Sequence, residues 1–248
     1  MSDSTHGSLR FGFGGVVWND SGKRVSVPLH PPVCRGDRAL QPRVETNRYG
    51  AVVAPDDLTG LARTARLDVL FTGYAADRVA GTVSLVRDGD RIIVVDPGMV
   101  PTRAAILNPL EELGVSARDV TDVVLSHHHP DHTVNIALFG EIPVHDFQAV
   151  YHRDSWEERP ADGVHLTPSV WLLATPGHTS QDLSVLVGTA EQVVVLTHLW
   201  WTAQGPQEDP YAPDPEALRT QRERVLALAD LVVPGHGPAF TPGPSTPR

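Results

Sequence analysis

The stretch Ser126-His127-His128-His129-Pro130-Asp131-His132 gathers four imidazoles and a carboxylate within seven residues. Neutral imidazole suits zinc, and a carboxylate beside it adds charge and can orient a bound water. In extended backbone, side chains two apart point the same way. His127 and His129 can therefore hold one cation while His128 faces away, and Asp131 and His132 continue the loop toward a second cation. A purification tag would lie at a terminus and lack the interposed Pro130-Asp131, whereas this run sits mid-chain. The chemistry open to such a cluster is metal-assisted hydrolysis, because a bound zinc lowers the pKa of water from about 15.7 to about 7. The chain has no Gly-x-Ser-x-Gly element and no motif around Cys34, so serine and cysteine nucleophiles are disfavoured.

Ligands so placed need elements that deliver them. TDVVLS (121–126) reads as a buried strand leading into the histidine run, and VWLLAT, LSVLVG, VVVLTH and LVVPGHG read as further short strands. Histidines stand at or just beyond four strand ends: His127, His178, His198 and His236. Strand ends opening onto one edge would bring these distant residues around one centre. Upstream, DVLFTGY, TVSLVRD and IIVVD read as strands, with Asp88-Gly89-Asp90 as a turn. Ile106, Leu107, Leu110 and Leu113 have helical spacing, with Pro109 as a kink and Gly114 as a stop. A last helix is expected over 215–230, with Leu218, Val225, Leu228 and Ala229 on its apolar stripe. The class implied is mixed α/β, with two sheets in layers.

Residues 1–66 are rich in Gly, Pro and Arg and read as an N-terminal arm, with a hairpin over 16–27, that packs on the core or on a second subunit. Residues 67–240 read as the main domain and 241–248 as a flexible tail. The formal charge is −10, from 20 basic and 30 acidic residues. That charge disfavours a nucleic-acid partner, since phosphate-backbone affinity rests on Lys and Arg. The apolar runs fall far below the roughly 20 residues needed to span a bilayer. With one cysteine and no signal-like N-terminus, a cytoplasmic location is expected.

The motifs resemble those of the metallo-β-lactamase superfamily, in its glyoxalase-II-like branch. HHHPDH matches the His-x-His-x-Asp-His signature, and Asp96 in VVDPG, His178 in TPGHT and His236 in VPGHG follow in the family's order. The resemblance implies a four-layer αββα sandwich with the site at one edge. It implies that His127, His129 and His178 hold a first metal, that Asp131, His132 and His236 hold a second, and that Asp96 steadies the histidine loop. One position departs from the family: where a bridging carboxylate is usual, this chain has Thr197-His198. An imidazole offers one lone pair and serves one cation. His198 is expected to ligate the second metal; a weakened second site or a pocket-lining role are the alternatives. Asp182 reads as a solvent-exposed strand-start residue, His145 as a cap near the site mouth, and Trp200 and Trp201 as packing or pocket wall.

The function implied is hydrolysis of a small-molecule thioester, lactone or other ester by a metal-bound hydroxide, with Asp131 as the catalytic group that orients it. Zinc is the expected cofactor, as two ions or one, with iron or manganese left open. A phosphodiesterase or nuclease, a mononuclear iron sulfur dioxygenase, and a metal-binding protein without turnover are the other readings. Specificity is expected in loops 146–168 and 199–214. The arm and the Trp pair suggest a homodimer.

Overall fold

The computed structural model describes residues 57–248, together with the backbone of three short strands in the region before them. These are β1 (Arg10–Gly12), β2 (Val16–Trp18) and β3 (Arg24–Ser26), an antiparallel sheet in that order, within a unit spanning Met1–Glu45. β2 and β3 pair Val17 with Val25; the Ser-Gly turn expected between them, and His6, His30 and Cys34, lie outside the described residues.

The second unit runs from Thr46 to Arg248. Its elements begin with β4 (Arg66–Phe71), β5 (Tyr74–Ala75), β6 (Val79–Ala80), β7 (Val83–Asp88), β8 (Arg91–Val95), α1 (Ala104–Glu112), β9 (Asp122–Val124) and α2 (Pro130–Thr133). There follow β10 (Val144–His145), β11 (Ala149–His152), β12 (Ser155–Glu158), β13 (Val164–Thr167), β14 (Val170–Ala174), β15 (Leu183–Gly188), β16 (Val193–Thr197), α3 (Pro215–Leu228) and β17 (Leu231–Pro234). One sheet has seven strands in the order β12-β11-β10-β9-β8-β7-β4, and another has five in the order β13-β14-β15-β16-β17. β8, β9 and β10 run parallel to one another, as do β16 and β17; the other pairs are antiparallel.

Alternation along the strands builds the layers. Ile93 and Val95 of β8 face inward and meet Leu172, Val185, Val194 and Leu196 of the smaller sheet in one buried cluster. Val94, between them, faces outward against Ile106 and Leu110 of α1. Val193 and Val195 of β16 likewise face outward against Leu218 and Val225 of α3. Helix, sheet, sheet, helix is the four-layer order expected. Strands covered on both faces read as unbroken apolar runs, as VVVLT does. α3 starts cleanly because Asp214 Oδ1 accepts the amides of Glu216 (3.0 Å) and Ala217 (3.1 Å), with Pro215 in the first turn. α1 tolerates Pro109 in its interior and ends at Gly114, whose φ of 73° favours glycine.

Two expected boundaries move. Residues 57–65 belong with the main unit rather than an arm: Ala62 N–H donates to Pro168 O at 2.9 Å and Ala65 N–H to Gly188 O at 3.1 Å. The last residues are fastened rather than frayed. Trp200 Nε1–H donates to Pro247 O at 2.8 Å, and Thr246 and Pro247 are buried. A buried indole needs an acceptor, and the chain end supplies it. Among the described residues no helix is long and apolar enough to cross a membrane.

Candidate metal centre

The histidine loop leaves β9 and is braced from β8. Asp96, just past that strand, adopts φ 53° and turns its carboxylate into the loop. Its Oδ1 accepts Ser126 N–H at 2.6 Å; its Oδ2 accepts Ser126 Oγ–H at 2.6 Å and His132 Nδ1–H at 3.0 Å. The Ser126 hydroxyl oxygen then accepts His127 Nδ1–H at 3.0 Å. Gly98 is required by close approach, since a Cβ there would lie 1.7 Å from Asp131 O. That carbonyl also accepts Met99 N–H (3.0 Å) and Gly81 N–H (3.1 Å), so the loop backbone is pinned from two sides.

The smaller sheet supplies three single imidazoles. His178 follows β14 and donates Nδ1–H to Asp209 Oδ2 at 2.8 Å. His236 follows β17 and donates Nδ1–H to Ala80 O at 3.0 Å. His198 directly follows β16, and its ring occupies the space a Cβ on Gly235 would need, 2.3 Å from His198 Cδ2.

These outer bonds fix the tautomers, and Nε2 of His127, His132, His178 and His236 is left as a lone pair. The lone pairs converge. His129 Nδ1 lies 3.0 Å from His127 Nε2 and 3.1 Å from His178 Nε2. Asp131 Oδ2 lies 3.4 Å from His132 Nε2 and 3.5 Å from His236 Nε2. Three groups have ligating atoms all within 4.8 Å of one another: His127, His129 and His178; Asp131, His132 and His236; and His127, His132 and His198. The third group sets His198 between the other two, with its Nε2 3.0 Å from His236 Nε2. Buried His132 Nε2 and His198 Nδ1 have no hydrogen-bond partner. Unpaired buried ring nitrogens are costly unless a cation takes the lone pair. The donor set therefore fits one or two divalent cations.

The electrostatics agree. Burial, then the neighbouring imidazoles, hold His127 and His198 well below the ordinary histidine range, and burial lowers His129 and His236. These rings are held in the neutral form that metal binding requires. His132 differs: burial opposes its charge, but the Asp96 and Asp131 carboxylates outweigh burial and raise it to about 9, so its Nε2 offers a lone pair only when a cation displaces the proton there. Burial would raise Asp131, yet His132 beside it brings the carboxyl down to about 2, so it is ionised.

Other expected residues fall elsewhere. Asp182 is buried, not exposed, because the next residue meets the histidine loop: Leu183 N–H donates to Ser126 O at 2.8 Å. His145 is not at the mouth. It is buried, donating to Asp122 Oδ1 (3.0 Å) and accepting from Arg159 Nη2 (3.1 Å). His128 is half-exposed on Asp146, as its alternate direction implied. The Trp pair divides. Trp200 is core, while Trp201 walls a cleft of about 440 Å³ together with Ala75, Ala76, Val79, Pro130 and Tyr211, opening onto His129, Asp131, His178 and His236. Asp209, Tyr211 and the β5–β6 hairpin carried no periodicity or motif; the only signal was that segment 199–214 follows a strand-end histidine. Arg222 of α3 fastens that segment. Wholly buried, it donates to the carbonyls of Leu199 (2.8 Å), Pro206 (2.8 Å) and Gln207 (3.0 Å).

The chain belongs to the metallo-beta-lactamase superfamily, whose family model matches residues 76–245. It is 32% identical over 199 residues to metallo-beta-lactamase domain-containing protein 1 of Xenopus laevis, covering 69% of this chain and 79% of that protein. Among solved structures, a metallo-beta-lactamase from Thermotoga maritima superposes with a TM-score of 0.58 at 23% identity, over 73% of this chain and all of the other. An N-acyl homoserine lactone hydrolase, solved with N-hexanoyl-L-homoserine at its catalytic metal center, gives 0.52 at 19% identity over 70% and 93% of the two chains. Family, fold and the convergent His and Asp donors together support a metal-dependent hydrolase.

Proposed function

We propose that this protein is a zinc-dependent hydrolase of small, uncharged acyl substrates: lactones, thioesters or related esters. The convergence of ring nitrogens whose far sides are already hydrogen-bonded carries the reading. His127, His129 and His178 would hold one ion, and Asp131, His132 and His236 a second, with His198 as a further donor to the second ion alone. When bound, the ions supply a water acidic enough to ionise near neutral pH and polarise the acceptor oxygen. The chain supplies the rest. Asp131 is kept ionised, so it can serve as a donor to the second ion and orient the attacking water. Asp96 holds His132, and through Ser126 holds His127, in the required tautomer. Trp201, Tyr211 and Val79 offer an apolar wall to an acyl group.

The cleft has the size of a small-ligand site. Among the described residues no Lys or Arg lines it, which supports a carboxylic ester over a phosphodiester. The ring-opened product named for the structural relative above is in keeping with that chemistry. Metal analysis of the purified, untagged protein, followed by a panel of lactones, thioesters and esters, tests the reading. Two zinc ions per chain and metal-dependent cleavage are expected. A single iron with oxygen uptake on a persulfide, or metal-loaded protein inert to every ester, would overturn it.

A further inference from the structure

The third carboxylate of this centre, Asp209, belongs to no motif and comes from a segment without regular structure. Its side chain is buried. One oxygen, Oδ1, caps the local turn by accepting Tyr211 N–H at 2.9 Å. The other, Oδ2, accepts two side-chain donors, His178 Nδ1–H at 2.8 Å and Trp201 Nε1–H at 2.9 Å. A turn residue needs only the first of these bonds. The two others join a candidate ligand to a wall of the cleft through one atom. Trp201 also stacks near Tyr211 (centroids 5.9 Å apart, planes at 25°), and its ring stands 6.1 Å from that of His178.

The outer partners of the other imidazoles show how distinctive this is. His127 leans on a serine hydroxyl and His236 on a backbone carbonyl. Among the candidate ligands only His132, on Asp96, and His178, on Asp209, are backed by carboxylates. Each proposed ion therefore has one carboxylate-backed imidazole. Asp96 has a second duty in holding the loop backbone, while Asp209 has a second duty in holding the substrate wall. A carboxylate behind an imidazole raises its basicity as a ligand and fixes its orientation.

We propose that Asp209 is a positioning residue that sets His178 as a ligand of the first ion and couples that ligand to Trp201, so that contact of a substrate with the cleft wall is felt at the metal. The inference rests on the metal-dependent reading above. Wild-type, D209N and W201F proteins are titrated with zinc against a chelator, and the cobalt(II)-loaded forms are compared by visible absorption. D209N keeps the size of the side chain and removes its charge. It is expected to weaken one of the two zinc equivalents by about 10–100-fold and leave the other unchanged. W201F, which removes an indole N–H bonded to Asp209 and to no ligating nitrogen, is expected to shift the cobalt(II) absorption and to raise KM more than it lowers kcat.

Folded D209N with wild-type affinity for both equivalents overturns the proposal. If D209N does not fold, W201F decides, and an unchanged cobalt(II) spectrum in W201F overturns it. Wild-type protein that takes up no metal is a different failure, visible before any variant is made, and it sinks the hydrolase reading itself.

Discussion

The seven-stranded sheet supplies its donors from one unbroken run, His127 to His132, whereas the five-stranded sheet supplies three lone imidazoles from three strand ends. The first half is held by one shared clasp: Asp96 and Gly98 grip the whole loop, largely through its backbone. The second half is held by separate supports. His178 depends on Asp209, 31 residues away, and His236 on Ala80, 156 residues away. A shared clasp fails as a whole when its backbone is moved, while separate supports can be loosened one ligand at a time.

The largest expected effect tests whether the two halves make one centre. His129→Ala, at the meeting point of His127 and His178, should abolish bound metal and turnover together; unchanged metal content in that variant would break the assignment. Next comes the contrast between the halves. Gly98→Ala drives a Cβ against a doubly pinned carbonyl and should cost more than about 3 kcal/mol, with loss of both ions. Gly235→Ala meets the His198 ring first rather than backbone and should leave the protein folded with altered metal stoichiometry. Denaturant melts with metal analysis would show equal damage if the contrast is wrong.

Smaller again is Arg222→Met, which strands three carbonyls around segment 199–207 and should lower stability by about 2–4 kcal/mol. Trp201 emission should then report a loosened cleft wall while the histidine loop keeps its place. A wild-type melting curve would show that Arg222 carries none of the support for that segment.

The smallest effect concerns pH. Asp182 accepts Thr179 N–H (2.9 Å) and Thr179 Oγ1–H (2.5 Å), but burial outweighs both and raises its carboxyl from 3.8 to about 6. A raised carboxyl pKa favours the protonated folded form. Its contribution is full below about pH 3.8 and is lost as pH rises through about 6. In metal-free protein, Asp182→Asn should remove that slope. Parallel stability–pH curves for the two proteins would show that the carboxyl does not titrate as described.

The contrast also explains what the sequence revealed. The histidine run, the strand ends and the helices at 104–112 and 215–228 were legible because each is written in neighbouring residues: ligand spacing, apolar runs, a proline and a cap. The fate of Asp182 was not, because its burial comes from Leu183 bonding across to Ser126 in the other sheet. Pro247 was misread for a similar reason, since the indole that needs its carbonyl lies 47 residues earlier. Asp209 and Tyr211 sit in QGPQEDPYAPD, a stretch whose composition signals a loop and nothing about what it touches.

The buried guanidinium of Arg222 has a consequence for how the cleft opens. A segment held mainly by its own short bonds would release its amides one at a time. Here the bonds of Trp201 and Thr202 N–H to Gly205 O, and of Gly205 N–H to Thr202 O, lie between carbonyls gripped by one side chain. Release of that grip frees them all. The three amides should therefore exchange with deuterium at a common, concerted rate, well ahead of β16, and the wall of the cleft and the support of His178 should come and go as one cooperative unit.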